Sequence, residues 1–94
     1  MQLRFWKDPE TDMPHISDHG VSEEEVRQVL QRSGEEFPGR DRSRIRLGQT
    51  DAGRYLQVVY VPDEVGDGIF IVTAYDLTAK AKRAFRRRQR RKKP

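Results

Sequence analysis

Cysteine is absent from the 94-residue chain, so neither a disulfide framework nor a thiolate metal site stands behind its core. No apolar run approaches the ~20 residues a bilayer-spanning helix needs. The opening Met1-Gln2-Leu3-Arg4-Phe5-Trp6 lacks the long apolar region of a signal peptide. Internal repeats are absent, and only the last nine residues are of low complexity. Apolar residues are scarce, at 34% against 36% charged. These proportions fit one small domain with a thin core. Together the absences lead us to expect neither a disulfide-stapled secreted scaffold nor a helical membrane protein. They lead us to expect a location in the cytoplasm of a prokaryote-like cell.

Acid is missing from one end. Residues 78–94 hold no Asp or Glu and carry 10 of the 19 Lys and Arg. Residues 1–77 therefore hold 9 basic and 15 acidic residues, a net of −6, beneath an overall charge of +4. An isoelectric point near 9.8 thus describes two unlike segments. Such a tail is expected to meet a polyanion, an acidic partner or the protein's own acidic body.

What is present reads as β, α, β, β, β, α. Leu3–Trp6 is a short first strand at an edge. His15–Asp18 is one helical turn stopped by Gly20. Ser22 and Glu25 have capping-box spacing, Val21 and Val26 have hydrophobic-staple spacing, and Glu23 and Glu24 favour a helix N-terminus. Val26, Val29 and Leu30 supply the apolar stripe of a helix over residues 22–33. Residues 34–43, with Pro38-Gly39, read as a loop. Arg44–Gly48 alternates polar and apolar, Arg54–Val61 reads as a central strand, and Ile69–Tyr75 as a second buried one. Short connections favour an antiparallel meander. Asp76 or Thr78 caps a last helix that docks only as far as Phe85. The expectation is an α+β fold: an antiparallel sheet of about four strands, one domain over residues 1–85, and a fraying basic tail over 86–94.

Several constellations carry chemistry. His15 and His19 are spaced i, i+4, and zinc would require a third ligand from Asp12, Asp18 or Glu23. No H-E-x-x-H is present and Gly20 breaks the turn, so no metal and no other cofactor is expected. His19 then forms a hydrogen bond at a helix end or acts as a general acid or base. Ser22 near the histidines invites a nucleophile reading, but capping already accounts for it. Lys80, Lys82, Arg83, Arg86, Arg87, Arg88, Arg90, Arg91, Lys92 and Lys93 exceed what a helix dipole requires, and phosphate binding accounts for the excess. An acidic protein partner and a solvated tail are the alternatives. Phe85 is the tail's one bulky apolar residue, which argues against a membrane partner. Arg44, Arg46 and Arg54 with Tyr55, Tyr60 and Tyr75 form either a base-stacking platform or, in part, core aromatics.

Asp8-Pro9 and His19-Gly20-Val21-Ser22 stand before an acid-rich helix, and Arg54-Tyr55-Leu56-Gln57-Val58-Val59-Tyr60 forms the middle strand. Ile71-Val72-Thr73-Ala74-Tyr75 then runs into a Thr78-led basic helix reaching Phe85. In this order and spacing the chain resembles the BrnT-type toxins. The chain departs from that family's usual pattern at Thr11, His15, Tyr75 and Ala81 and at Ile69-Phe70, which replace a lysine, an asparagine, an arginine, a glutamate and an arginine. The resemblance implies a RelE/ParE-like fold and a ribonuclease toxin neutralised by a ribbon-helix-helix antitoxin. In a metal-independent endoribonuclease, His19 would be acid or base. Arg46, Arg54 and Arg83 would hold phosphate, and Tyr75 would donate a proton or stack a base. In the alternative, a non-catalytic RNA- or ribosome-binding protein, Lys80, Lys82, Arg86, Arg87, Arg88, Arg90 and Arg91 supply the affinity. A third reading docks the tail on an acidic antitoxin or on a second copy.

Overall fold

The computed structural model describes residues 2–92. Strand β1 (Gln2–Phe5) leads through a polar loop into a five-residue 3-10 turn, His15–His19, and helix α1 (Glu23–Gln31). Strands β2 (Glu35–Pro38), β3 (Arg44–Gln49), β4 (Tyr55–Pro62) and β5 (Gly68–Asp76) follow, and helix α2 (Ala79–Lys92) closes the described chain. The five strands form one sheet in the order β1-β5-β4-β3-β2. β2 to β5 pair antiparallel as a meander, and β1 pairs parallel to β5.

The architecture is α+β, with two corrections to the expected sheet. It has five strands, not about four, and it is mixed. The extra strand is β2, in the segment that reads as a loop. Glu35-Glu36-Phe37-Pro38 has no strand alternation and includes a proline. A sheet edge tolerates both, because one side of the backbone needs no partner. β1 does lie at the opposite edge and β4 at the centre.

Local signals set α1. The Ser22 hydroxyl accepts from the Glu25 amide at 3.1 Å, and the Glu25 carboxylate accepts from the Ser22 amide at 3.0 Å. The helix ends at Gln31, slightly inside the expected 22–33. Gly20, with φ of +67°, ends the 3-10 turn in the left-handed conformation that glycine adopts without strain. Alternate residues of β4, namely Leu56, Val58 and Tyr60, point to the α1 face. There they join Ile16, Val21, Val26, Val29, Ile71 and Ala74 in the main core. Each of the largest members contributes about 1.5–3 kcal/mol through burial.

The opposite face carries Tyr55, Gln57 and Val59 from β4. α2 crosses one end of it, burying Phe85 edge-on to Tyr55 at 6.0 Å. The Thr78 hydroxyl accepts from the Ala81 amide at 3.1 Å and caps this helix. Fraying beyond Phe85 was expected, yet α2 stays helical through Lys92. Ala, Arg, Lys and Gln are all strong helix formers, and Arg88 grips Glu35 with two nitrogens at 2.7–2.9 Å. Lys93 and Pro94 of the expected tail lie outside the described residues. Among the described residues no helix is long and apolar enough to cross a membrane.

Candidate nucleic-acid interface

Arg54, at the mouth of β4, is the most heavily bonded cation among the described residues. Its Nε donates to Asp76 Oδ1 at 2.7 Å and its Nη2 to Asp76 Oδ2 at 2.9 Å. Nη1 donates to the Gly20 carbonyl at 2.8 Å and to Glu25 at 3.1 Å, and Nη2 also reaches the His19 carbonyl at 3.3 Å. A guanidinium has five N–H donors, and all five have acceptors here. The Ser22 amide, followed by Arg54, holds the Glu25 carboxyl below its usual range. Arg54 does the same for Asp76, and the Asp76 carboxylate raises the Arg54 pKa in turn. This guanidinium ties the 3-10 turn, α1 and β5 together and has no donor left for a phosphate.

Arg46 is engaged through its terminal nitrogens, while its buried Nε has no hydrogen-bond partner among the described residues. It points to the α1 face, donates to the Arg32 carbonyl at 2.6 Å beyond the end of α1, and lies 3.7 Å from Glu36. Glu36 also accepts from the Tyr60 hydroxyl. Burial, then the Glu36 carboxylate, pushes the Tyr60 phenol up to about 12. Tyr60 is thus a core aromatic with a satisfied hydroxyl. Its ring is not free for stacking.

The structure does bring His19 and Tyr75 together. His19 is exposed, its ring 5.7 Å from Tyr75 and 5.2 Å from His15, which in turn lies 5.4 Å from Trp6. Gln57 donates to the Tyr75 hydroxyl at 2.7 Å. Arg54 touches His19 through its backbone carbonyl alone. Arg83 stands exposed on α2, with no hydrogen bond, ion pair or ring contact to this pair. The five candidate catalytic residues therefore separate into one ring pair, two engaged arginines and one helix-surface arginine. Among the described residues no group of three or more His, Asp or Glu is placed to hold a metal ion.

The cations of α2 have a simpler arrangement. Lys82 lies over the Tyr55 ring at 5.0 Å, and Arg88 holds Glu35. Lys80, Arg83, Arg87 and Arg91 are exposed and follow an i, i+3, i+7, i+11 spacing that lines one helix face. Arg86 and Arg90 are exposed beside them. None of these six has a carboxylate partner among the described residues. Sequence reasoning placed Arg88 among the nucleic-acid contacts. The fold makes it a helix clamp, because β2 brings Glu35 across 53 positions to meet it.

The model of a family described as a domain of unknown function, DUF4258, matches residues 15–76. The chain belongs to the DUF4258 family. The DUF4258 segment runs from the first residue of the 3-10 turn to the last residue of β5. It contains His19, Arg46, Arg54 and Tyr75, while β1, Arg83 and every cation of α2 lie outside it. No curated protein and no solved structure matches the chain.

Proposed function

We propose that this protein binds single-stranded RNA, free or within a ribosome, through the basic face of α2 on a RelE/ParE-like scaffold. The observation that carries the reading is the row Lys80, Arg83, Arg87 and Arg91, exposed and without a carboxylate partner among the described residues. A helix with nine cations and no acid repels itself, and a phosphate backbone relieves that repulsion by releasing counterions. The antiparallel meander with one helix on its face supports the scaffold assignment. An RNA partner places the protein in the cytoplasm. Titrating a fluorescent single-stranded RNA at several salt concentrations tests the reading. Each phosphate contact should add about 0.7 to the slope of log K against log salt. Salt-insensitive binding, or none at low salt, overturns it.

A second reading keeps the BrnT-like endoribonuclease, with a ribbon-helix-helix antitoxin as partner. The exposed His19 ring beside Tyr75 favours it. In that reading His19 moves the proton and Tyr75 donates or stacks. Phosphate charge would come from α2, since Arg54 has no free donor. RNA cleavage lost in His19→Ala, with RNA affinity retained, supports this reading. Intact RNA with the wild-type protein removes it.

A further inference from the structure

A groove of about 510 Å³ lies between α2 and the end of the sheet beneath it. Its volume is within the range of small-ligand sites, about 300–1,000 Å³. Tyr55 and Phe85 form its apolar wall, Gln49 and Gln89 supply amides, and Arg86 and Arg90 stand on the α2 side. Arg32 and Ser33, just past α1, close the far end. Arg86 and Arg90 are one helical turn apart, so their guanidinium groups share a face.

The lining groups differ in their bonding. Arg32 donates to the Thr50 carbonyl at 2.9 Å and to Asp51 at 3.2 Å, which fixes it as structure. Gln49 donates to the Gly53 carbonyl at 3.1 Å, leaving its amide oxygen as an acceptor. Gln89 has a buried amide nitrogen with no hydrogen-bond partner among the described residues. A buried donor without an acceptor is unfavourable, and an acceptor brought by a ligand in the groove would relieve it. One aromatic wall, two amides and two free guanidinium groups on one side match a nucleotide. The wall takes a base, the amides its donor and acceptor edge, and the arginines a phosphate.

We infer that this groove seats one nucleotide of the bound RNA strand, the phosphate between Arg86 and Arg90 and the base against Tyr55 within reach of Gln49 and Gln89. The inference deepens the RNA-binding reading and rests on it. The outer row of Lys80, Arg83, Arg87 and Arg91 supplies affinity without regard to base, whereas the groove supplies preference for one base over another.

Two probes test this on the full chain: nucleoside 5′-monophosphates and single-stranded RNA homopolymers. The expected result is that a monophosphate moves the side-chain amide resonances of Gln49 and Gln89 and competes with the RNA. Gln89→Ala should level the affinities for oligo(A) and oligo(U), reducing any preference at least threefold, with the salt slope unchanged. Arg90→Ala, on an exposed position that leaves folding intact, should weaken monophosphate binding about fivefold. Arg83→Ala should lower the salt slope and leave monophosphate binding alone. RNA binding with both amides unmoved overturns the inference while the RNA-binding reading stands. Inorganic phosphate producing the same amide shifts as the nucleotide overturns it too, as does monophosphate binding that RNA fails to displace. Failure to bind any RNA at low salt overturns both readings.

Discussion

Helices α1 and α2 lie on opposite faces of one sheet and use them in opposite ways. α1 has nine residues and buries Val26 and Val29 completely against the main core. Its three opening glutamates favour the helix N-terminus, and one of them closes the capping box. α2 has fourteen residues, nine of them Lys or Arg, and buries one large side chain, Phe85. Its first turn holds no acid. A helix whose apolar stripe and end charges all agree with the fold is explained by the fold. At α2 the fold accounts for Thr78, Lys82, Phe85 and Arg88, whereas the exposed cations Lys80, Arg83, Arg86, Arg87, Arg90 and Arg91 have no carboxylate partner among the described residues.

The sharpest way to break this contrast is to make the α1 side fail. Arg54→Ala leaves Glu25 and Asp76 without their shared cation and removes the link to the His19 and Gly20 carbonyls. Charged hydrogen bonds contribute about 1.5–3 kcal/mol, and this side chain is partly exposed. A loss of about 2–3 kcal/mol in unfolding free energy is expected by urea denaturation. Arg54→Lys should recover only part, because an ammonium cannot hold Asp76 with two parallel bonds. A fully stable Arg54→Ala protein would mean that the clamp is ornamental and that the guanidinium is available for a ligand. On the other face, replacing Arg83, Arg87 and Arg91 together with Ala should reduce the RNA salt slope by about 2 and affinity by about 10–100-fold in low salt. Folding stability should hold or rise, since three repelling charges leave a helix whose docking side is untouched.

The two helices also differ in how far they could be read in advance. α1 was legible because its signals act within four residues: Ser22 to Glu25, and Val26 to Leu30. β4 and β5 were legible for the same reason, through β-branched and aromatic runs. β2 was not, since Glu35-Glu36-Phe37-Pro38 is a strand only by pairing with β3. The role of Arg54 was equally hidden. Its partners lie 22, 29 and 34 positions away, and composition alone presents it as one more phosphate-binding arginine. The same holds for Arg88 and Glu35. In α2 the intrinsic propensity for helix was present in the sequence, and the absence of apolar residues beyond Phe85 outweighed it. Gln49 and Gln89 had no local signal to single them out, because only the crossing of α2 over the sheet end makes them neighbours.

Acid should sharpen the contrast by a smaller amount. Glu25 and Asp76 titrate below their ordinary 4.5 and 3.8 in the folded protein. The unfolded chain therefore takes up protons first as pH falls. Stability from the clamp is complete above about pH 5 and declines through the depressed values below it. Urea midpoints measured from pH 6 to pH 3 should fall for the wild type and fall less steeply for Arg54→Ala. Parallel curves would place the acid sensitivity elsewhere in the −6 body.

The smallest effect concerns how closely each helix approaches the sheet. Gly48 on β3 is buried beneath α1, and a β-carbon there would sit 3.0 Å from Val29 Cγ1. That is tighter than ordinary packing, and Val29 is itself fully buried with little room to give. Gly48→Ala should therefore cost about 1 kcal/mol through overpacking. On α2 the exposed Arg87→Ala should shift stability by less than about 0.5 kcal/mol. A loss at Arg87 equal to that at Gly48 would show that Arg87 makes a stabilising contact within the fold. In that case the fold itself would account for this cation, and it would lose its claim to a partner.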